Sequence, residues 1–493
     1  MSADFTGHGV ASAGMTRVDV HAPVVSIAGG AVSGSTTDGI SAFLGIPYAA
    51  PPVGPDAFAA PKPPPSWDGV RDATAYGPTA PQAPYPAPIA ALLDNVIVDG
   101  EDYLNLNVWT PDPGGAGLPV MVWIHGGAFT RGSNRITMYA GDTFARDGVV
   151  CVGINYRLGT PGFASVAGAP ENRGLLDQIA ALRWVRENIS AFGGDPDTIT
   201  VFGESAGAMS VASLLSSPRA DGLFGRAIME SGNGNAVADP ADARKVTDRL
   251  AALLRVDATA DALGQVSGDE LLKAQTRVAL ELMLAPDPQV WGESTVKVGL
   301  GIMSQFPVID GDVVTARPVD AIAAGAGASV PLLAGWNADE FRFFMVATGG
   351  ASAVTEEGAA VMLGSTDGGA EFLRSRLDAG VSPGDALSEA LSRAAFSGPT
   401  TTLAEVRSGA RGEPASTHLY EFGYESPQGD IRAGHAVEIP FVFDHLDQAH
   451  ALVGPEPDQR IADDMHAAWV RFATSGDPGW SPYAEGDEIR RFD

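Results

Sequence analysis

Cysteine is almost absent from this sequence of 493 residues, which contains only Cys151. A single cysteine excludes an intrachain disulfide, and its apolar neighbours Val149, Val150 and Val152 predict a buried core thiol. Cysteine and histidine residues nowhere recur at the spacing of zinc ligands. We therefore expect neither a metal site nor any other cofactor.

Long apolar runs are also missing. No stretch approaches the roughly 18 apolar residues that a membrane span needs, and the N-terminus lacks the basic start and apolar stretch of a secretion signal. Residues 1–22 are mostly small and polar, which predicts a flexible tail. The sequence thus predicts a cytoplasmic protein without a membrane partner.

Positive charge is scarce as well. The chain has 31 Lys and Arg residues against 60 Asp and Glu residues, a formal net charge of -29. Nucleic acids and anionic membranes both attract clustered basic side chains, so this balance argues against either as a partner. An acidic, solvated surface is the simplest interpretation, and both a monomer and a homodimer remain open.

The apolar patterns that are present predict an α/β fold. Residues 119–125 and 149–156 are almost continuously apolar, as in strands that are covered on both faces. Residues 174–192 place their apolar side chains on one helical face. Because strands alternate with helices, we expect a central, mostly parallel, twisted sheet with helices on both faces.

The remaining segments set the predicted domain organisation. Residues 104–110 alternate like a half-exposed strand, and the proline-rich residues 46–67 form either an ordered surface loop or a linker. We favour the loop, because its aromatic side chains need burial. Residues 23–493 are predicted to be a single domain, with helical cap insertions at about 236–328 and 345–412.

One stretch of the sequence carries a chemical signature. Residues 198–210, TITVFGESAGAMS, predict a buried strand, a sharp turn and a helix, with Ser205 at the turn. G-x-S-x-G in this setting is typical of the nucleophile elbow of α/β-hydrolases, in which Gly203 and Gly207 leave room for close backbone contacts. A chance match is the alternative in a chain with 60 glycines, but the flanking strand and helix argue against it.

A nucleophilic serine needs a histidine base and an acid that orients it, in the chain order serine, acid, histidine. The acid would follow the strand at residues 330–335, where Asp339 and Glu340 are equally suitable. We favour His435 as the base, because it follows a strand and a polar loop. The other histidines beyond Ser205 are His418, His445, His450 and His466.

The third requirement is a set of backbone N–H groups that stabilise an oxyanion. Residues 125–129, HGGAF, follow a buried strand upstream of Ser205 and have the small side chains that such a loop needs. The other donor would be the N–H of Ala206, directly after the serine.

Several ordered blocks of the chain resemble the type B carboxylesterases, the family of bacterial para-nitrobenzyl esterases, mammalian carboxylesterases and cholinesterases. The resemblance runs from about residue 25 to 493 and implies an α/β-hydrolase fold. The blocks are GIPYAAPPVG, EDYLNLNVW, WIHGGAF, NYRLGTPGF, GLLDQIAALRWVRENISAFGGDP, FGESAGAMS, FGRAIMESG, GWNADE and GHAVEIPFVF.

The resemblance also assigns roles to individual residues. It implies Ser205 as the nucleophile, Glu340 as the acid and His435 as the base of a catalytic triad. It places the oxyanion donors at Gly127, Ala128 and Ala206, with Gly126 shaping the loop. It further implies that Glu204 and Glu438 help to position His435, and that Arg157 and Asp177 form a structural ion pair.

Three departures from the family pattern are seen. Tyr103 stands where a cysteine is frequent, Ala57 and Phe58 replace a segment that usually holds an arginine, and Phe341 replaces a glycine. The loss of that arginine leaves open how the N-terminal loop is held. Phe341 and its neighbours Phe343 and Phe344 either line the active site or pack in the core.

The expected substrates are small to medium neutral carboxylic esters with an aryl or short alkyl part. A choline ester is not expected, since residues 82–100 contain Tyr85 but no tryptophan for a cation–π contact. An aryl carbamate hydrolase using the same mechanism is the alternative. A non-catalytic binding protein on the same fold is the remote alternative.

Overall fold

The computed structural model describes residues 22–364, 368–410, 415–486 and 488–493. The predicted tail therefore lies outside the described residues, apart from residue 22. The strands are, in chain order, β1 (Val24–Ile27), β2 (Gly30–Ser33), β3 (Ser35–Thr37), β4 (Ile40–Pro47), β5 (Val70–Asp72), β6 (Asn105–Thr110), β7 (Leu118–Ile124), β8 (Val150–Ile154), β9 (Gly194–Glu204), β10 (Arg226–Glu230), β11 (Leu332–Asn337), β12 (Thr417–Phe422) and β13 (Ile489–Phe492).

Within the described residues, ten strands form one large sheet in the order β13-β12-β11-β10-β9-β7-β8-β6-β4-β3. The part of the sheet that runs β13-β12-β11-β10-β9-β7-β8 is parallel. At the other end, β6 pairs antiparallel with β8, and β4 and β3 continue the antiparallel pairing. A smaller sheet contains β1, β2 and β5. The predicted mostly parallel sheet of an α/β protein is confirmed.

Helices cover both faces of the large sheet. Along β7, Val120, Val122 and Ile124 belong to one core cluster, whereas Met121 and Trp123 belong to another. Successive side chains of a strand point to opposite faces, so the two clusters lie on opposite faces of the sheet. The long helices that contribute to them are Arg173–Asn188 and Ala206–Leu215 on the first face and Gln459–Ser475 on the second.

The strand predicted at residues 104–110 is present as β6, but the expectation that it is half exposed is wrong. All six of its residues are buried. β6 lies between β8 and β4, and both of its faces are covered, since its alternate side chains point to opposite faces and all of them are buried. The polar residues Asn105 and Asn107, which suggested exposure, instead donate hydrogen bonds to backbone carbonyls.

The proline-rich loop agrees with the sequence analysis, whereas the last strand was not predicted. The loop at residues 46–67 is ordered, with Tyr48 and Phe58 buried and Trp67 half-buried, as predicted. The short strand β13 has no counterpart in the sequence analysis. It lies at the edge of the sheet with three exposed residues, so it lacks an apolar pattern that could be recognised.

Both regions that the sequence predicts as helical contain helices. None of the helices in the described ranges is long and apolar enough to cross a membrane. The helices of the two regions are Pro240–Leu254, Ala260–Leu263, Gly268–Leu284, Pro288–Trp291, Glu293–Gly299 and Pro318–Ala323 in the first, and Gly350–Ala353, Glu356–Leu363, Gly369–Asp378, Pro383–Ser392 and Gly398–Ser408 in the second.

Candidate active site

The predicted sharp turn at Ser205 is present between β9 and the helix Ala206–Leu215. Ser205 has φ 54° and ψ -120°, a backbone conformation that non-glycine residues rarely adopt. A Cβ at Gly203 would lie 2.6 Å from the carbonyl oxygen of Ile124, and a Cβ at Gly207 would overlap the same atom. Both glycines are therefore required for the close approach of β9, β7 and the helix.

A buried carboxylate and an imidazole meet beside this turn. Glu340 follows β11 and is fully buried, and its Oε2 lies 2.6 Å from Nδ1 of His435. Glu340 Oε1 accepts a hydrogen bond of 2.9 Å from the backbone N–H of Asn337. The side chain of Asn337 also donates to the carbonyl of Gly434, at 2.8 Å. Asn337 thus joins the loop of Glu340 to the loop of His435. The sequence analysis did not predict this link.

The neighbouring candidates lie elsewhere. Asp339 is half-buried and lines a different cleft together with Arg342 and Arg432. His445 and His466 are buried and face Asp142 and Asp147, respectively. His418 is part of β12, and His450 begins the short helix His450–Val453. Of the two acids left open by the residue pattern, Glu340 is the one that contacts His435.

Ser205 and His435 line the same cavity, whose volume is about 160 Å³. The imidazole does not bind the serine hydroxyl in this structure. Its Nε2 instead lies 3.0 Å from Oε1 of Glu204. Ser205 Oγ makes no hydrogen bond to any residue that the structure describes. The cavity therefore brings Ser205 and His435 together, but no hydrogen bond joins their side chains.

Charge controls the protonation of the imidazole. Burial disfavours the charged form of His435, but the nearby carboxylates of Glu204 and Glu340 outweigh it and raise the pKa well above the ordinary 6.5. Burial likewise raises the pKa of Glu204, although His435 counteracts the shift. His435 is consequently protonated at neutral pH more often than an exposed histidine would be.

Glu438 does not contact His435 directly. Its Oε2 accepts a hydrogen bond from the Asn337 side chain, and its Oε1 lies 3.4 Å from the Ser231 hydroxyl, which donates to it. Burial is the main reason why the pKa of Glu438 rises to about 8. Its influence on the histidine would pass through Asn337, so its positioning role stays a prediction.

A further buried carboxyl group was not anticipated. Glu230 ends β10, and its backbone carbonyl accepts the N–H of Ser205 at 2.9 Å. Its side chain accepts a 2.7 Å hydrogen bond from the indole of Trp469, and burial raises its pKa well above 4.5. The pairing of β10 with β9 therefore holds the turn at Ser205 in place. This contact could not be predicted before the order of the strands was known.

The loop at residues 125–129 turns tightly beside the serine. Gly127 has φ 104° and Ala128 φ 55°, and both line the cavity. The N–H groups of Thr130 and Arg131 donate to the Gly127 carbonyl and close the turn. A Cβ at Gly126 would lie 2.9 Å from the carbonyl oxygen of Glu204, so the loop passes directly against the serine turn. Ala206 is buried at the start of the helix that follows Ser205.

Apolar and aromatic side chains form most of the cavity wall. Phe343 and Phe344 line it, whereas Phe341 is buried and packs its ring against Phe344 and Phe396. Phe343 and Phe344 thus belong to the wall of the cavity, whereas Phe341 belongs to the core. The full lining is Tyr85, Ile89, Leu93, Gly127, Ala128, Arg131, Tyr139, Glu204, Ser205, Ile302, Phe343, Phe344, His435 and Ala436.

The expected ion pair also holds the N-terminal loop. Arg157 and Asp177 are fully buried, and their charged groups lie 2.7 Å apart. Arg157 Nη1 donates to the carbonyls of Ala57 and Ala59. Arg157 therefore holds the backbone of the N-terminal loop in this chain. No cluster of metal-binding side chains occurs among the residues described here.

Comparison with known proteins places this architecture in a defined group. The sequence model of the carboxylesterase family matches residues 21–488. The para-nitrobenzyl esterase of Bacillus subtilis (strain 168) is 37% identical over 481 residues, which covers 94% of this chain and 93% of that protein. The phenmedipham hydrolase of Pseudarthrobacter oxydans is 35% identical over 468 residues and covers 92% and 90%.

Solved structures agree with the sequence relatives. A PNB esterase structure superposes with a TM-score of 0.82 at 34% identity and covers 96% of both chains. The fold is thus that of the α/β-hydrolases, and the enzymatic class is that of carboxylic ester hydrolases. Taken with the matched residues 21–488, these similarities establish that the chain belongs to the carboxylesterase family.

Proposed function

We propose that this protein is a serine esterase that cleaves small carboxylic esters through Ser205, His435 and Glu340. The observation that carries the proposal is the cavity shared by Ser205 and His435, with Nδ1 of the histidine held 2.6 Å from buried Glu340. In this proposal residues 23–493 act as one catalytic domain. Each of the two helical regions would contribute a side chain next to the site, since Ile302 lines the cavity and the ring of Phe396 lies 5.0 Å from that of His435.

The reaction would proceed by acyl transfer in two steps. His435 takes the proton of Ser205 as the hydroxyl oxygen attacks the ester carbonyl, and then protonates the leaving alcohol. Water then hydrolyses the acyl-enzyme by the same route. For the first step Nε2 must exchange its contact with Glu204 for one with Ser205. Catalytic hydrogen bonds are often poorly aligned before the substrate binds, so this geometry is compatible with a base.

The developing oxyanion would be stabilised by the backbone N–H groups of Gly127, Ala128 and Ala206. Two of these residues line the cavity, and the N–H groups of Gly127 and Ala128 donate to no backbone carbonyl in the described chain. Gly126 lets the loop approach the serine turn. Glu204 would hold the imidazole in the cavity, and Glu438 would steady Asn337 behind it.

The size and lining of the cavity limit the substrate. Its 160 Å³ lies below the roughly 300–1,000 Å³ of pockets for drug-sized ligands. Phe343, Phe344, Ile89 and Leu93 would receive an aryl or short alkyl part. The similarity to phenmedipham hydrolase supports an aryl carbamate as the second candidate substrate, cleaved by the same serine through a carbamoyl-enzyme.

The test is the variant Ser205→Ala, assayed against p-nitrophenyl esters of increasing acyl length and against one aryl carbamate. Loss of the nucleophile should lower kcat/KM by about four orders of magnitude or more while circular dichroism stays unchanged. A fluorophosphonate should label the wild-type protein and leave Ser205→Ala unlabelled. Unaltered turnover by Ser205→Ala, or a wild-type protein that neither reacts nor hydrolyses, as a pure binding protein would, contradicts the proposal.

A further inference from the structure

The catalytic cavity contains one arginine in an otherwise apolar and aromatic wall. Arg131 follows the oxyanion loop and lines the cavity together with Ser205 and His435. Glu204 is the acidic residue of the same lining, and it is already occupied by the imidazole, whose Nε2 lies 3.0 Å away. The cavity therefore contains a carboxylate that contacts the imidazole in this structure and a guanidinium on a separate side chain.

The guanidinium of Arg131 has no acidic partner among the described residues. Its Nε donates to the carbonyl of Pro84 and its Nη1 to the hydroxyl of Thr130, both at 3.3 Å. Burial lowers its pKa from the ordinary 12.5, but an arginine remains charged at any physiological pH. A half-buried charge without a counter-ion is unfavourable unless something else neutralises it. No hydrogen bond from Nη2 to a described residue is seen, and Nη1 has one further N–H.

Tyr85 adds a second donor beside the arginine. The guanidinium lies 5.8 Å from the centre of the Tyr85 ring, and both residues line the cavity. Burial raises the pKa of Tyr85 to about 12, so its hydroxyl keeps its proton at neutral pH. That hydroxyl makes no hydrogen bond to a residue in the part of the chain that the structure describes. Two residues with hydrogen-bond donors thus lie next to each other in the lining of one cavity.

We propose that Arg131 makes the cavity selective for esters that carry a carboxylate at the end remote from the scissile bond. The planar guanidinium matches a carboxylate, which it binds with two parallel hydrogen bonds. A phosphate, which is larger and more highly charged, fits the small cavity less well and would be repelled more strongly by Glu204. Suitable substrates are half-esters of dicarboxylic acids and aryl esters with a carboxyl group on the ring.

This proposal rests on ester hydrolysis at Ser205 and widens the expectation of neutral substrates. The net charge of -29 repels anions from the protein as a whole. A preference for an anionic ester must therefore arise from a local contact inside the cavity. Replacement of Arg131 alone should therefore weaken the preference for anionic esters.

The experiment compares kcat/KM for matched anionic and neutral esters. Monomethyl adipate against methyl hexanoate places the charge on the acyl side, and 4-acetoxybenzoate against 4-methylphenyl acetate places it on the alcohol side. In Arg131→Gln the ratio of anionic to neutral kcat/KM should fall about tenfold or more for at least one pair, because a charge-assisted hydrogen bond is lost. Arg131→Lys should retain part of the preference.

Arg135→Gln is the matched control. It removes the same charge four residues away, where the guanidinium lies over the Tyr76 ring at 4.4 Å and outside the cavity lining. Its ratio should equal that of the wild type. Equal ratios in wild type and Arg131→Gln, or an equal fall in Arg135→Gln, would overturn the role of Arg131. A wild-type protein that cleaves neither neutral nor anionic esters would instead refute the esterase proposal itself.

Discussion

Replacing Glu204 by glutamine should move the acid limb of the pH–rate profile to lower pH. In the proposed mechanism His435 acts as a base only when it is unprotonated, so kcat/KM should fall below its pKa. The carboxylates of Glu204 and Glu340 hold that pKa well above 6.5 against the opposing effect of burial. Glu204→Gln keeps the shape of the side chain and removes one of the two charges, so the imidazole loses its proton at a lower pH.

The distance between the two groups sets the magnitude. At 3.0 Å, two unit charges attract by about 1.4 kcal/mol in a dielectric of 80 and about 5.5 kcal/mol in a dielectric of 20. These energies correspond to about one and about four pKa units. Since Glu340 remains in place at 2.6 Å, we expect a downward shift of at least about one unit.

The assay is kcat/KM for p-nitrophenyl acetate between about pH 5 and 9, followed at the isosbestic wavelength of p-nitrophenol. Glu438→Gln is the control. The pKa of Glu438 is raised to about 8, so its carboxyl group is neutral near pH 7 and the variant removes little charge. A pKa shift below about 0.3 unit in Glu204→Gln would refute the electrostatic reasoning, and so would a downward shift in Glu438→Gln that exceeds the shift in Glu204→Gln.

Two stability predictions follow from the same architecture. Gly207→Ala should lower the free energy of unfolding by about 1–3 kcal/mol in urea denaturation, because the new Cβ overlaps the carbonyl oxygen of Ile124. Gly268→Ala is its control: nothing lies within 4 Å of a Cβ there, so stability should be unchanged or slightly higher. Asp177→Asn should cost about 3–5 kcal/mol, because it leaves the buried charge of Arg157 uncompensated. A loss below about 1 kcal/mol would show that Arg157 is neutralised in another way.

The sequence predicted those parts of the protein that depend on local pattern. The apolar runs of β7 and β8 and the strand–turn–helix around Ser205 follow from residue order alone, because a covered strand and a sharp turn each restrict composition. The residue pattern also limited the candidates for the acid of the triad to Asp339 and Glu340. It failed at β6 and β13, where burial and pairing depend on neighbouring strands rather than on the segment itself.

Only the tertiary structure decided which groups meet. Glu340 rather than Asp339 contacts His435 because the loop after β11 turns the second carboxylate inward, a direction that adjacent residues do not encode. Asn337 joins two loops that lie almost a hundred residues apart in the chain, and Arg131 becomes a cavity residue through the tight turn at Gly127. Local pattern thus predicted the elements and the serine turn, and the resemblance of ordered blocks to the carboxylesterases predicted the reaction class. The packing of distant segments determined the charges that surround the serine, because electrostatic interactions depend on distance in space and not on separation along the chain.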